Sequence, residues 1–238
     1  MELFYTTIID GETAVLEGQE SMHCTRVLRH NPGDTVNFTD GKGKMYLGVI
    51  SEIKNKRTLL QITGVKSDPD RRGYHLHMAV ALTKNFERYE LFLEKAVEIG
   101  VDRITPIVCD HSERKIFKRE RSQRIILSAM KQSLKFSLPK LDDVTAARDL
   151  IVSGDNTLKI MGHCREGEKS FLPDILTRGK HQGKNELLIM IGPEGDFSVE
   201  EIGLAHENGF EIMDLGRSRM RVETAAITSV AAVYLNYL

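Results

Sequence analysis

Two short stretches concentrate the residues able to do chemistry. The first is Glu186 to Ile202, ELLIMIGPEGDFSVEEI. Its apolar run, Leu187 to Ile191, predicts a strand buried on both faces. Gly192-Pro193-Glu194-Gly195 breaks that run with residues that permit tight backbone angles. Ser198 followed by Glu201 reads as a capping box, which starts a helix. Strand, glycine-rich loop and helix N-terminus in succession is a place where α/β sheets hold ligands on free backbone N–H groups. The loop carries Glu194 and Asp196 and no lysine. It therefore suits a neutral or cationic ligand with an edge to hydrogen-bond, such as an adenine ring or a sulfonium, better than a phosphate. An ordinary strand-to-helix connection that holds nothing fits the same pattern.

The second stretch is Leu215 to Ala225, LGRSRMRVETA. Arg217, Arg219 and Arg221 alternate, so an extended segment would carry them on one side, and guanidinium forks suit phosphate oxygens and base edges. Glu223 and Thr224 open a final helix, where the dipole favours an acidic residue; Glu223 is equally placed to pair with Arg219 or Arg221. The plainer reading is a solvated charged loop. A third feature is Arg114 to Arg124, RKIFKRERSQR, with six Lys or Arg in eleven residues and Phe117 interleaved. Such a cluster is the electrostatic footprint of nucleic-acid binding, set against a solvated helix surface.

Composition narrows the setting. The chain has 238 residues and a formal net charge of −1, which excludes a globally basic nucleic-acid binder but not a local basic patch. Cys24, Cys109 and Cys164 are far apart with no CxxC pair, so no disulfide framework or metal site is expected, and a reducing, cytoplasmic setting fits. The eight histidines show no HxxxH or HExxH spacing. The start, MELFYTTIIDGE, has no basic n-region or long apolar segment. No apolar run of about 18 residues predicts a membrane span.

The elements that must position these residues follow two patterns. Residues 1 to about 66 are β-rich, with strands expected at Leu3–Ile9, Thr35–Thr39, Met45–Ile53 and Thr58–Val65 and turns at Asp40-Gly41 and Asn55-Lys56. One helix, about Gln19 to Arg29, would place Arg26 and Arg29 on one face. So many short strands suggest a small barrel. Lys66 to Gly73, KSDPDRRG, reads as the linker. Beyond it strands alternate with helices: strands at His75–Leu82, Ile104–Cys109, Leu158–Gly162, Leu187–Ile191 and Phe210–Leu215, helices at Phe86–Ile99, Arg119–Phe136 and Val222–Leu238. This alternation implies an α/β domain with a parallel sheet.

Taken together these stretches resemble the RsmE family, methyltransferases of uridine N3 in 16S rRNA within the SPOUT superfamily. IGPEG (Ile191–Gly195) with Glu200-Glu201-Ile202, Leu215-Gly216 with Arg221, Glu223, Thr224 and Ala225, LEKAVEIGV (Leu93–Val101), His23 with Val27-Leu28-Arg29, and Gln132-Ser133 are similar to family motifs in the family's order. The chain departs in three places. Ser218 stands where the family has its first LGxRxLR arginine, Leu134-Lys135 replace the arginine after Gln-Ser, and Asp196 replaces the second glycine of IGPEGG.

The resemblance implies a PUA-like β-barrel for RNA over residues 1–70 and a SPOUT methyltransferase domain over 74–238, with a parallel sheet and a deep trefoil knot. It implies a homodimer and S-adenosylmethionine bound by Gly162, by Ile191, Gly192, Pro193, Glu194 and Gly195, and by Leu215, Gly216, Met220 and Arg221. Arg221 and then Arg219 are the expected catalytic cations, with Glu223 or water as proton acceptor. RNA, as 16S rRNA or the small ribosomal subunit, would meet Arg26, Arg29, Lys42, Arg114, Lys115, Lys118 and Arg119. Competing readings are a non-catalytic RNA-binding ribosome-assembly factor and a SPOUT enzyme acting on another rRNA or tRNA position. A nucleotide-dependent α/β enzyme would need a Walker or dinucleotide-binding motif, and the sequence has neither.

Overall fold

The computed structural model describes residues 2–68, 72–153 and 157–238. The chain divides into two compact units. One holds residues up to 71 together with Leu127–Leu138, the other Arg72–Ile126 with Pro139–Leu238. Pro69, in the expected linker, lies outside the described residues.

In the first unit, β1 (Leu3–Tyr5), β2 (Ile9–Asp10) and β3 (Thr13–Glu17) precede α1 (Gly18–Met22), a π-helical turn (His23–Val27), β4 (Thr35–Thr39), β5 (Lys44–Lys54) and β6 (Arg57–Ser67). The strands form one sheet in the order β1-β4-β5-β6-β3-β2. Alternation drives it: Val36 and Phe38 of β4 point inward with Ile50, Leu60, Leu16 and Phe4 to form the core. Asn55 and Lys56 both take positive φ, 51° and 62°, as a two-residue hairpin turn requires.

Three sequence expectations change here. The strand expected over Leu3–Ile9 is broken, because the Thr6 hydroxyl donates to the Val15 carbonyl and accepts the Ile8 N–H, turning the chain. The N-terminal helix widens to a π turn at His23 and ends at Leu28, and Arg29 enters the left-handed region at φ 61°. Arg26 and Arg29 therefore do not share a regular helical face. The helix from Arg119 stops at Gln132 rather than Phe136. The Leu134 N–H bonds to the Lys131 carbonyl and the Lys135 N–H to that of Met130, a Schellman closure with Leu134 at φ 55°. Phe136 then buries against Leu3 and Met45.

The second unit contains β7 (His75–Ala81), α2 (Phe86–Ile99), β8 (Arg103–Val108), α3 (Arg119–Gln132, whose C-terminal part from Leu127 belongs to the first unit), β9 (Lys140–Leu141), β10 (Thr145–Ala146), α4 (Ala147–Val152), β11 (Leu158–Gly162), β12 (Ser170–Phe171), α5 (Leu172–His181), β13 (Glu186–Ile191), α6 (Val199–Glu207), β14 (Glu211–Asp214) and α7 (Val222–Tyr237). The sheet runs β10-β8-β7-β13-β11-β14-β12 with β9 beside β8, and every pairing is parallel. Both faces are covered, so the central strands read as continuous apolar runs. Ala79, Ala81, Met161, Leu188 and Met190 pack with α4 and α6. The alternate residues, such as Met78 and Val80, point to the opposite face, where α2 and α7 pack on each other and α7 meets β7. Among the described residues no helix is long and apolar enough to cross a membrane.

Candidate functional site

β13 and β14 flank β11 on opposite sides in the sheet. The loops leaving the C-terminal ends of these three strands border one crevice, the usual ligand position in an open parallel sheet. A cleft of about 710 Å³ lies there. All ten residues that the resemblance assigns to a cofactor line it: Gly162 at the end of β11, Ile191 to Gly195 after β13, and Leu215, Gly216, Met220 and Arg221 after β14. Arg219 also lines it.

The loop after β13 is held from several sides. Ser198 Oγ accepts the Glu201 N–H at 3.1 Å and Glu201 Oε2 accepts the Ser198 N–H at 2.9 Å, completing the capping box. Asp110, just beyond β8, accepts from Ser198 Oγ at 2.7 Å and from Arg148 at 2.5 Å. Arg148, then Ser198, holds its carboxyl below the usual range. His111 Nδ1 lies 3.1 Å from the Gly195 carbonyl and 3.2 Å from that of Asp196. Both partners are acceptors, so this nitrogen carries a proton. Glu194 Oε1 accepts the Lys84 N–H at 3.1 Å.

Glycine is required where the wall is thin. A Cβ on Gly192 would stand 2.9 Å from the Phe197 ring and 3.3 Å from the Phe197 nitrogen, and one on Gly162 2.5 Å from Met213 Cε. Ile191 and Met213, almost wholly buried, give the cleft an apolar floor. His163 in the wall has its imidazole pKa lowered, by burial first and Lys169 next, which favours the neutral ring.

The segment after β14 bends at Arg217 and Ser218 instead of running straight. Gly216 takes φ 106° and its N–H bonds to Asp214 Oδ1 at 2.9 Å. Alternation therefore does not align the three arginines, yet Arg217, Arg219 and Arg221 all line the cleft and are exposed. None pairs with a carboxylate among the described residues. Glu223 is placed differently. It is 6% exposed, faces Arg88 of α2 with Oε1 3.9 Å from Nε, and does not line the cleft. The helix period explains this: Glu223, Ala226, Val230 and Val233 form one inward stripe of α7. That signal was in the sequence.

Of the residues expected to meet RNA, Arg26, Arg29 and Lys42 are exposed in the first unit, and Lys115 and Lys118 in the second. Lys118 lies over the Phe86 ring, as does the guanidinium of Arg114, which also donates twice to the Lys84 carbonyl. Arg119 donates to the carbonyls of Leu141 and Asp142 and to Asp143. It is a fastener of the sheet edge.

At the opposite ends of β7, β8 and β13 lies a cavity of about 470 Å³. Its polar groups satisfy one another. Thr105 Oγ1 donates to Asp142 at 2.6 Å and accepts from His77 Nε2 at 2.6 Å, and Arg103 Nε donates to Asp142 at 2.6 Å. Among the described residues no group of three or more His, Cys, Asp or Glu is placed to hold a metal ion.

The chain is similar to other proteins over its full length. A family model described as an RNA methyltransferase domain matches residues 70–234, and one described as an RNA methyltransferase PUA domain matches residues 16–63. A probable rRNA-methyltransferase from Porphyromonas gingivalis superposes with a TM-score of 0.88 at 33% identity, over 100% of this chain and 98% of that one. A ribosomal RNA small subunit methyltransferase E from Neisseria gonorrhoeae, solved bound to S-adenosyl methionine, superposes with a TM-score of 0.86 at 25% identity, over 99% and 97% of the two chains. The ribosomal RNA small subunit methyltransferase E of Aquifex aeolicus is 26% identical over 242 residues, with both chains covered in full. Two matched domains in the same order, full-length coverage and the motifs lining one cleft agree: the chain belongs to the RNA methyltransferase family, within its RsmE group.

Proposed function

We propose that this chain is an S-adenosylmethionine-dependent methyltransferase acting on N3 of a uridine in the 16S rRNA of the small ribosomal subunit. The observation that carries the reading is the convergence of the three loops on a cleft floored by Ile191 and Met213 and flanked by arginines that pair with no carboxylate among the described residues. The cofactor fits that lining. Ile191, Met213 and Met220 would pack an adenine ring. The backbone of Gly192 to Gly195 and of Leu215-Gly216 would meet its polar edge. Glu194 supplies negative charge suited to a sulfonium. When bound, the cofactor supplies an electrophilic methyl group.

The remaining chemistry falls to the chain's own residues. Uridine N3 carries a proton at neutral pH, and as that proton leaves, negative charge spreads to the two flanking carbonyl oxygens. Arg221, seconded by Arg219, stabilises this charge. Among the described residues no carboxylate pairs with either guanidinium, so both keep their charge for this task. The proton passes to water at the open mouth of the cleft, since Glu223 is committed to Arg88.

Residues 1–70 form the RNA-binding domain and residues 74–238 the methyltransferase domain, whose three cleft loops belong to a trefoil knot. RNA lies along Arg26, Arg29 and Lys42 and along Lys115 and Lys118. The enzyme is a cytoplasmic homodimer that uses the end of α7, where Leu235 and Leu238 are 69% and 77% exposed, as part of its interface. The test is incubation of small-subunit particles and of naked 16S rRNA with labelled cofactor, followed by nucleoside analysis. The expected product is N3-methyluridine. Label in another nucleoside would move the target, and no label would favour an RNA-binding assembly factor.

A further inference from the structure

The corner at Asp196-Phe197 ties the first wall of the cleft to the second. Asp196 sits in the left-handed region at φ 66°, where residues other than glycine are disfavoured. Its carboxylate does two things there. Oδ1 accepts the Phe197 N–H at 2.8 Å, and Oδ2 reaches across to accept the Cys164 N–H at 2.9 Å. A second link runs alongside, from Arg165 Nε to the Phe197 carbonyl at 3.3 Å. Cys164 and Arg165 belong to the loop after β11, and His163, Cys164 and Asp196 all line the cleft.

The corner has further supports besides this carboxylate. The Asp196 N–H bonds to the Pro193 carbonyl at 2.9 Å. The Asp196 carbonyl is held by His111, and the Phe197 ring is fully buried in the core. The loop after β11 has less support, with Lys169 Nζ to the His163 carbonyl as its main internal bond.

We propose that Asp196 is a positioning residue for cofactor binding: its carboxylate latches the loop after β11 onto the fixed corner after β13, and so sets the width of the cleft. This rests on the reading of the cleft as the S-adenosylmethionine site. A glycine at this position would suit the backbone and lose the latch.

The test compares the full-length protein with D196G and D196N by calorimetric titration with S-adenosylmethionine and S-adenosylhomocysteine, thermal melting, and amide exchange at Cys164. D196G removes both carboxylate hydrogen bonds, to the Phe197 and Cys164 N–H groups, while relieving the left-handed backbone, and is expected to bind both ligands about tenfold more weakly. Its melting temperature should not fall, and the Cys164 amide should exchange faster. D196N keeps an acceptor for Phe197 but sets an amide donor against the Cys164 N–H, so it should bind as weakly as D196G. Affinities within about twofold of the native protein for both variants would overturn the latch. So would weaker binding accompanied by a lower melting temperature, which marks a structural role. Failure of the native protein to bind either ligand would instead defeat the reading of the cleft.

Discussion

Glu223 lies 3.9 Å from the Arg88 guanidinium, on the side of α7 that faces α2. A carboxylate so committed is a poor proton acceptor for a substrate in the cleft. Glu223→Gln should therefore retain methylation within about threefold, a difference well under one decade of barrier height. Arg88→Ala leaves a nearly buried carboxylate unpaired. Because Arg88 is part-exposed and the pair is long, the cost should be on the order of 1 kcal/mol, read by denaturant titration. A collapse of turnover in Glu223→Gln at normal cofactor affinity would return Glu223 to the chemistry.

Arg221 and Arg219 should behave in the opposite way. Arg221→Ala is expected to lower kcat by about 100-fold or more, the usual consequence of removing a charge-stabilising donor, with an unchanged melting curve. Arg219→Ala should cost less. Single-turnover assays with saturating RNA separate this from weakened RNA binding, and near-normal turnover in Arg221→Ala would remove it from the mechanism.

The two close-packed glycines should differ. Gly192→Ala sets a methyl group against the Phe197 ring and its backbone nitrogen, neither of which can yield without moving the core. It should abolish measurable cofactor binding in calorimetry. Gly162→Ala meets mainly the flexible end of Met213 and should weaken binding only severalfold, about 1 kcal/mol. Equal effects would mean that the loops adjust as one body.

His77 gives a pH signature unrelated to the cleft. Burial, then the Arg103 guanidinium, pushes its pKa from 6.5 down to about 4. The unfolded chain thus takes up this proton at a higher pH than the folded chain. The stability tied to neutral His77 is fully present above about pH 6.5 and is lost as pH falls toward 4, by about 3 kcal/mol in all. His77→Gln should lack this part of the acid loss. Parallel pH-stability curves for the two proteins would refute it.

Within the basic stretch, Lys115→Ala and Lys118→Ala should reduce RNA affinity and flatten its salt dependence, by roughly one unit of log–log slope for each phosphate that is no longer neutralised. Arg119→Ala should leave that slope alone and lower stability, because its guanidinium closes three hydrogen bonds to the segment Leu141 to Asp143. Filter binding across a salt series and thermal melts distinguish the two classes.

Much of the fold follows from local pattern. The helix Phe86–Ile99, the strand Leu158–Gly162 and the capping box at Ser198 stand where the sequence predicts them, because apolar period, side-chain caps and glycine stops act over a few residues. The two-residue strands β9, β10 and β12 and the six-residue α4 were not legible, since such brief elements carry too little period to be told from loops; α5 did carry a helical stripe, Leu172, Ile175, Leu176 and Gly179. The break at Thr6 and the π turn at His23 depend on partners elsewhere in the chain or on a few backbone bonds that no residue type announces.

The site divides along the same line. The sequence alone determined which residues can do chemistry: the glycine loop, the arginines after β14 and the basic stretch are all written in residue type and spacing. Tertiary structure decided which of them meet. Only the sheet order, with β13 and β14 on either side of β11, brings residues 162, 192 and 216 to one cleft. Only packing sets Glu223 against Arg88 and Arg119 against the Leu141–Asp143 segment, and leaves Arg219 and Arg221 with no carboxylate partner among the described residues. The physical reason is range: backbone preference and hydrophobic period are local, whereas neutralising a charge depends on which distant groups the fold places within a few ångströms of it.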